Sequence, residues 1–372
     1  MKTVYFLGAG FSKPANGPMQ SELICEILKL RDGTKFLRDD IVWQYVDKFE
    51  KFLSDDLFID KSSYREIALE DILTPIDRCI LDRVSFRSID AEHLVELREK
   101  IYALISIAIR ERLASGSKSK AYVDDFAKYL VAQTKSQVGK KFHDPVSVIS
   151  TNWDILLDNS IKHVLDGDRN KAGRNNGVVD YCCYISSLKD DPTIIPGLLA
   201  LGKEMYNVKL LKLHGSMNWL HCPYCQRMFV AFFEKYSAQE IFEKRSCNYC
   251  GSENGGNPKA AILRSNLIMP TFLKDLNNFQ IKLIWQNAGV ELMEANKVVF
   301  IGYSLPTSDY ELRQLLSRMI PHQAKIEVVM APEVTDNSRS DNDETFKRYK
   351  SFFGKREVND YRMGVVEYIN SI

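Results

Sequence analysis

Two pairs of cysteines carry the most specific chemical pattern in the sequence. Cys222 and Cys225 form one C-x-x-C pair, Cys247 and Cys250 form a second, and 21 residues separate the two. This spacing favours a metal over disulfides, and four thiolates make a closed tetrahedral zinc site with no position left for a substrate. We therefore predict a structural zinc site. His221 lies beside Cys222, but four thiolates already complete the tetrahedron.

A glycine turn after the first predicted strand suggests a site for phosphate groups. The turn reads Gly8-Ala9-Gly10-Phe11-Ser12. Glycines directly after a strand let the backbone approach a pyrophosphate, and the amides there can bind its oxygens. The motif lacks the third glycine of G-x-G-x-x-G, and no acidic residue ends a second strand about twenty positions on. A tight turn without a ligand is therefore the alternative.

An amide and a carboxylate follow the predicted strand at residues 146–150. Asn152 and Asp154 are two positions apart in this segment. Because the carboxyl ends of strands in open α/β sheets face the ligand crevice, these side chains could hold a ribose hydroxyl and a carboxamide. The alternative is a helix cap, with Thr151 or Asn152 capping a helix over residues 153–161.

Two more strands end in residues suited to a cleft. His214 follows the run 208–213, where a histidine is placed to act as a general base. Gly302 and Ser304 follow the run 298–301, where a glycine lets a ligand approach the backbone. The alternatives are a histidine that only packs the turn and a plain strand-to-helix turn with Asp309 at the start of the helix.

The elements that would position these residues indicate a parallel sheet. Short runs rich in Val, Ile and Leu occur at 3–7, 146–150, 208–213, 298–301 and 326–331, with longer segments between them. Runs of this kind suit a parallel sheet covered on both faces. We predict an α/β fold with a Rossmann-like parallel sheet, a helical insertion and a small zinc-binding module.

The long gaps between strands give a predicted domain division. The Rossmann-like domain, which would bind a nucleotide, would consist of residues 1–33, 141–216 and 258–372. Residues 34–140 read mostly as helix and would cover the cleft, and residues 217–257 would form the zinc module. A helix should start near residue 19. The polar segment at residues 333–344 is predicted as a mobile loop.

The composition is that of a globular protein. Hydrophobic residues make up 45% and charged residues 27%, and the formal net charge is +1. This charge gives no indication of a nucleic-acid partner. No apolar run approaches the about 20 residues of a membrane span. We expect a cytoplasmic protein without a membrane or nucleic-acid partner.

The order of these motifs resembles the sirtuin family. Its members carry G-A-G-x-S after the first strand, then T-Q-N-x-D, an H-G pair, two zinc knuckles and G-x-S-L. The corresponding residues here are Gly8-Ala9-Gly10-Phe11-Ser12, Ser150-Thr151-Asn152-Trp153-Asp154, His214-Gly215, the four paired cysteines and Gly302-Tyr303-Ser304-Leu305. The phrases Gly-Tyr-Ser-Leu-Pro at 302–306 and Met-Pro-Thr-Phe at 269–272 are more similar to prokaryotic sirtuin-like proteins of anti-phage defence than to histone deacylases.

The resemblance implies a binding site for NAD. The glycine turn from Gly8 to Ser12 would hold the diphosphate, and Gly302 and Ser304 would border the adenosine. The catalytic residues would be Asn152 and His214. Asn152 would position the ribose and the attacking nucleophile, and His214 would act on the ribose hydroxyls or on water. Asp154 would hold the nicotinamide carboxamide.

Several departures from the family pattern fall on the peptide channel and the cofactor loop. Deacylating sirtuins carry G-I-P-x-F-R where this chain reads Gly17-Pro18-Met19-Gln20-Ser21, and a glutamine where it has Thr151. The segment 266–272 lacks the Gly-Glu pair that clamps the peptide, and Ala331 replaces an asparagine that contacts the adenosine ribose. These losses count against deacylation more than against NAD cleavage.

The resemblance therefore implies an NAD glycohydrolase that converts NAD to nicotinamide and ADP-ribose and depletes NAD in anti-phage defence. The alternatives are an NAD-dependent protein deacylase and a non-catalytic sensor of NAD or ADP-ribose. By analogy with defence members of the family, we expect a homo-oligomer, and a HerA-type ATPase is a candidate partner.

Overall fold

The computed structural model describes residues 1–33, 39–115, 120–136, 144–172, 177–234, 244–250, 261–269, 271 and 273–372. Parts of the predicted segments 34–140, 217–257 and 266–272 lie outside these residues.

Eleven strands lie in the described part of the chain, in two sheets. They are β1 (Thr3–Leu7), β2 (Val146–Ser150), β3 (Gly177–Asp180), β4 (Ile185–Ser187), β5 (Tyr206–Lys212), β6 (Gly215–His221), β7 (Met228–Val230), β8 (Arg264–Leu267), β9 (Lys297–Ile301), β10 (Lys325–Val329) and β11 (Val358–Tyr361). The main sheet has seven parallel strands in the order β11-β10-β9-β1-β2-β5-β3. The predicted α/β class with a Rossmann-like parallel sheet is confirmed.

The described helices that we number are α1 (Leu23–Lys29), α2 (Asp39–Lys51), α3 (Leu69–Asp82), α4 (Ala91–Ser115), α5 (Ala121–Lys135), α6 (Leu156–Ala172), α7 (Gly197–Leu201), α8 (Phe279–Met293), α9 (Tyr310–Met319), α10 (Asp336–Phe353) and α11 (Gly364–Asn370). The helix expected near residue 19 begins with a 3-10 turn at Gln20–Glu22. Among the residues described, none of the helices has both the length and the apolar character that a membrane span requires.

The prediction of a mobile loop at residues 333–344 was wrong. Helix α10 begins at Asp336, and the side chain of Thr335 caps it by accepting a hydrogen bond from the amide of Ser338 at 3.1 Å. Tyr349 and Phe353 on this helix are buried in the main core. The polar residues thus form the capped, solvent-facing start of a helix, where Ser and Asp are favoured.

Two large hydrophobic cores lie in the described part of the chain, and a third, small one surrounds the paired cysteines. The main core surrounds the parallel sheet and includes Phe126 and Leu130 of α5, which packs against α6 and the sheet. The second core joins α1 to α2, α3 and α4, which we call the helical unit, and it also takes in Trp153 and Met217. The division into domains at 34–140 stays a prediction.

Strand register brings four strand ends to one level. Leu7, the last residue of β1, is aligned with Ser150 of β2 and with Ile301 of β9. Ser150 is in turn aligned with Lys212, the last residue of β5. Chain segments that are far apart in sequence therefore leave the sheet side by side. In a sheet where β1 lies between β9 and β2, this edge is the expected place for a ligand crevice.

Candidate functional site

A cleft lies at the carboxyl ends of these four strands. It contains about 850 Å³ of empty space, including the solvent at its mouth. Seven of the predicted site residues line it, namely Ala9, Ser12, Asn152, Asp154, His214, Gly302 and Ser304. Ile109 of α4 and Leu23 of α1 also line it, so the helical unit supplies part of its wall.

The glycine turn after β1 is bonded to the loop after β9. The amide of Gly8 donates to the carbonyl of Ile301 at 3.0 Å, and the amide of Gly10 donates to the carbonyl of Gly302 at 2.9 Å. The amide of Ser12 donates to the carbonyl of Ala9. These amides, which the sequence suggested as ligands for a pyrophosphate, are thus engaged with the protein itself. A diphosphate could bind through them only by sharing or displacing these bonds.

Close packing explains why this contact is built from glycines. A Cβ atom on Gly302 would lie 2.3 Å from the carbonyl carbon of Gly10, and the residue has a φ of +61°. A Cβ atom on Gly8 would lie 2.6 Å from the oxygen of Gly302. Both positions require glycine to let the two loops approach each other, whatever ligand binds.

Phe11 faces away from the cleft. Its side chain is buried in the main core, with ring centroids 5.6 Å from Tyr122 and 5.8 Å from Phe126. The hydroxyl of Tyr122 donates to the carbonyl of Phe11 at 2.7 Å. Phe11 therefore anchors the turn to α5, and the predicted contact with a ligand would have to come from its backbone.

Ser12, Asn152 and Asp154 form a hydrogen-bonded group in the cleft. The Ser12 hydroxyl donates to Oδ2 of Asp154 at 2.6 Å. The Asn152 side-chain amide donates to the carbonyl of Gly8 at 2.9 Å and to the Ser12 hydroxyl at 3.3 Å. The donor end of Asn152 is therefore tied to the glycine turn.

The helix after this group begins later than expected. The sequence suggested a helix over residues 153–161 capped by Thr151 or Asn152, but α6 begins at Leu156. The side chain that accepts from its first amide is Asp154, whose Oδ1 lies 3.0 Å from the nitrogen of Leu156. Asp154 thus combines a capping role with a place in the cleft.

His214 lies at the floor of the cleft beside two charged residues that the sequence analysis did not single out as site residues. Its Nε2 atom is buried and has no hydrogen-bond partner among the described residues. Oδ1 of Asp309 lies 3.6 Å from this nitrogen. The same carboxylate oxygen lies 2.8 Å from Nζ of Lys274, and Oδ2 accepts a hydrogen bond from the Tyr303 hydroxyl at 3.0 Å. All four side chains are buried.

Burial sets the protonation state of this histidine. It lowers the pKa of His214 to about 4, with Asp309 opposing the shift and Lys274 adding to it. Burial also acts to raise the pKa of Asp309, but the charges of His214 and Lys274 outweigh it, and that pKa lies below its usual range. At neutral pH the ring is therefore an uncharged acceptor next to an ionised carboxylate.

The loop after the glycine turn also reaches the cleft. Gly17, Pro18, Met19 and Gln20, where the sequence departs from the deacylase pattern, all line it. Ala331 lies elsewhere, and its carbonyl accepts a hydrogen bond from the side chain of Asn342. The altered loop thus faces the space in which a substrate would sit.

The four paired cysteines meet in a separate, small sheet. The sheet has the order β4-β7-β6-β8, and the cysteines flank its strands. All four Sγ atoms lie within 4.8 Å of one another, with Cys222 to Cys250 and Cys225 to Cys247 at 3.9 Å. Tetrahedral zinc with bonds of about 2.3 Å to sulfur needs sulfurs about 3.8 Å apart. The four thiols therefore fit a zinc ion, and His221 is not among the clustered donors in the part described.

Comparison with known proteins found similarity to solved structures. No protein-family model matches the sequence, and no curated protein matches it. A solved structure of Sir2Tm bound to a propionylated peptide is similar to this chain with a TM-score of 0.38 and 13% sequence identity. The alignment covers 100% of this chain and 91% of the other.

Proposed function

We propose that this chain cleaves NAD to nicotinamide and ADP-ribose. The observation that carries the proposal is the cleft, in which an amide, a carboxylate and an uncharged histidine meet at the carboxyl ends of parallel strands. In the reaction, the bond between nicotinamide and ribose breaks, water adds to the ribose, and one proton is released. The nicotinamide ring is cationic in NAD and leaves as a neutral molecule, so the protein must orient groups more than supply an acid.

The residues of the cleft suit such a reaction. Asn152, fixed through its donor end to Gly8 and Ser12, leaves its side-chain oxygen to orient a water or a ribose hydroxyl. His214 offers an unpaired ring nitrogen that can accept a proton or a hydrogen bond. Asp154 is fixed by Ser12 and by the start of α6, and it would position the carboxamide.

The test of the reaction class is nicotinamide release by the purified wild-type protein, with and without an acylated lysine peptide. We expect release without peptide, with ADP-ribose as the second product by mass spectrometry. Release only in the presence of peptide would instead establish a deacylase. Calorimetric binding of NAD without any release would indicate a sensor and contradict the proposal.

We further propose that the activity serves anti-phage defence and is controlled by assembly, since an uncontrolled NAD hydrolase would drain the cofactor of its host. A homo-oligomer, or a complex with a HerA-type ATPase, would be the active form. Light scattering measured beside the rate tests this part: the rate per chain should rise as the oligomer forms. A monomer with the same rate at every concentration would exclude such control.

A further inference from the structure

His214 and Asp309, which line the cleft, form a buried charged cluster with Lys274. The Lys274 side chain is 0% exposed and those of His214 and Asp309 are each 5% exposed. Taking charges out of water is costly unless each one has partners. Lys274 has such partners in Asp309 at 2.8 Å and Glu311 at 3.3 Å, so its position is well determined.

Asp309 holds the centre of this cluster. It stands directly before α9, yet its side chain makes no capping hydrogen bond with that helix. The carboxylate instead contacts Lys274 through Oδ1 and Tyr303 through Oδ2. A residue type that usually caps helices thus directs its carboxylate to Lys274 and Tyr303 instead.

One ring nitrogen of His214, Nε2, has no hydrogen-bond partner among the described residues. The ring has a backbone hydrogen bond with Thr151, and Nε2 is buried. The distance of 3.6 Å from Nε2 to Asp309 is too long for a hydrogen bond. It is short enough for an ion pair once Nε2 carries a proton.

We propose that Asp309, held in place by Lys274 and Tyr303, is the positioning residue of His214: it faces Nε2 across 3.6 Å and pairs with the ring when that nitrogen takes up a proton. The role in catalysis rests on the proposed function, whereas the pairing between the two side chains does not. Asp309 thereby acts through His214 and needs no contact with the substrate.

The charged groups around the ring should shift the pKa of His214 in opposite directions when each is removed in turn. Those that act on His214 are Asp309 and Glu311, from the start of α9, and Lys274, from the segment before α8. Lys274→Met removes the cation and leaves the carboxylate facing the ring, so the pKa of His214 should rise. Asp309→Asn removes the carboxylate and leaves the cation, so the same pKa should fall. Each shift should be about one pH unit or more.

The experiment is an NMR titration of the full-length protein with labelled histidines. The His214 resonance is assigned by its loss in His214→Gln, and exposed His322 serves as the internal control. Opposite shifts in the two variants, with His322 unchanged, are expected. Shifts in the same direction, or none in either variant, would overturn the inference. If Lys274→Met does not fold, Lys274→Gln keeps a hydrogen-bond donor to Asp309 and should still raise the pKa.

The rate of nicotinamide release against pH separates this inference from the proposed function. In the proposed reaction the neutral ring is the active form. Lys274→Met should therefore shift the acid limb of the pH–rate profile to a higher pH than in the wild type. Asp309→Glu, which restores the carboxylate, should recover more of the rate than Asp309→Asn. If the NMR shifts occur but no folded form releases nicotinamide, the proposed function fails and the pairing stands. If nicotinamide is released but the acid limb lies at the same pH in both variants as in the wild type, Asp309 is not the positioning residue.

Discussion

The carboxylate of Asp154 connects two segments that lie 142 positions apart in the chain. One oxygen accepts from the hydroxyl of Ser12 and the other from the amide of Leu156. Both oxygens are therefore fixed before a ligand enters the cleft. Groups held in this way need no reorganisation when a ligand binds, which is the usual requirement for precise positioning.

Replacing this carboxylate should separate its structural role from its role in the cleft. Asp154→Ala loses the helix cap and the bond to Ser12, so the free energy of unfolding should fall by about 1–2 kcal/mol. Asp154→Asn keeps an oxygen for the amide of Leu156 and should cost less than about 0.5 kcal/mol, because asparagine caps as well as aspartate. Urea denaturation measures both. Equal stability of the alanine variant and the wild type would contradict the capping role.

At the residue scale, the sequence indicated those candidate site residues that follow strands. Asn152, Asp154 and His214 were found because a strand end and a chemical group coincide. Lys274 could not be found in this way, since it belongs to no strand end and lies 35 positions before Asp309. For Asp309, the sequence predicts only a position at the start of a helix. Its contacts depend on how α9 packs against α8 and into the main core, which no local pattern encodes.

The loops after β1 and β9 act as one element. Two backbone hydrogen bonds and two glycines hold them together, so the position of Ser12 depends on the loop that carries Ser304. Ser308 in that second loop also donates to the buried carboxylate of Glu70 on α3 at 2.9 Å. The helical unit and both loops are thereby joined around the cleft.

A comparison of two glycines tests this contact. Gly302 and Gly354 share a φ of +61°, but a Cβ atom on Gly354 would meet nothing within 4 Å. Gly354→Ala should cost only the conformational strain, about 1–3 kcal/mol. Gly302→Ala must also push apart two backbones and should lower the free energy of unfolding by about 2 kcal/mol more. Thermal unfolding followed by circular dichroism gives both values, and equal losses would show that the loops can separate freely.

At the element scale, five of the seven strands of the main sheet were predicted, whereas β3, β11 and the helix ends were not. The run 146–150 agrees with β2, and the run 298–301 differs from β9 by one residue. Continuous apolar runs report burial on both faces of a sheet directly. The ends of α6 and α10 depend instead on single capping side chains, Asp154 and Thr335, which compete with equally suitable neighbours.

The zinc site should support its small sheet. The small core around the cysteines has only eight buried residues in the described chain, three of them cysteines of the cluster. Few apolar contacts remain to hold the cysteine-bearing loops in place without a metal. Elemental analysis of the purified protein should find about one zinc per chain. Cys247→Ser should lose the metal and melt at a lower temperature, while Cys79→Ser, outside the cluster, should keep it. Full metal content in Cys247→Ser would contradict the assignment.

At the scale of the whole molecule, the cleft lies where the two cores meet. The sheet supplies the chemical groups at its strand ends, and the helical unit supplies apolar wall residues such as Leu23 and Ile109. Trp153 belongs to the core of the helical unit although it stands between Asn152 and Asp154. Movement of the helical unit would therefore reach the segment that carries Asn152 and Asp154 directly, which makes this unit a suitable place for the proposed control by assembly.

The most direct test of the account compares nicotinamide release from NAD by two asparagine variants. Asn152 lines the cleft, whereas Asn337 is exposed on α10. Asn152→Ala should lower the rate by about 10²–10⁴-fold, the usual effect of losing a group that acts on the reacting atoms, and Asn337→Ala should leave it unchanged. If the Asn152→Ala variant folds and still releases nicotinamide at the wild-type rate, the assignment of this cleft as the active site is contradicted.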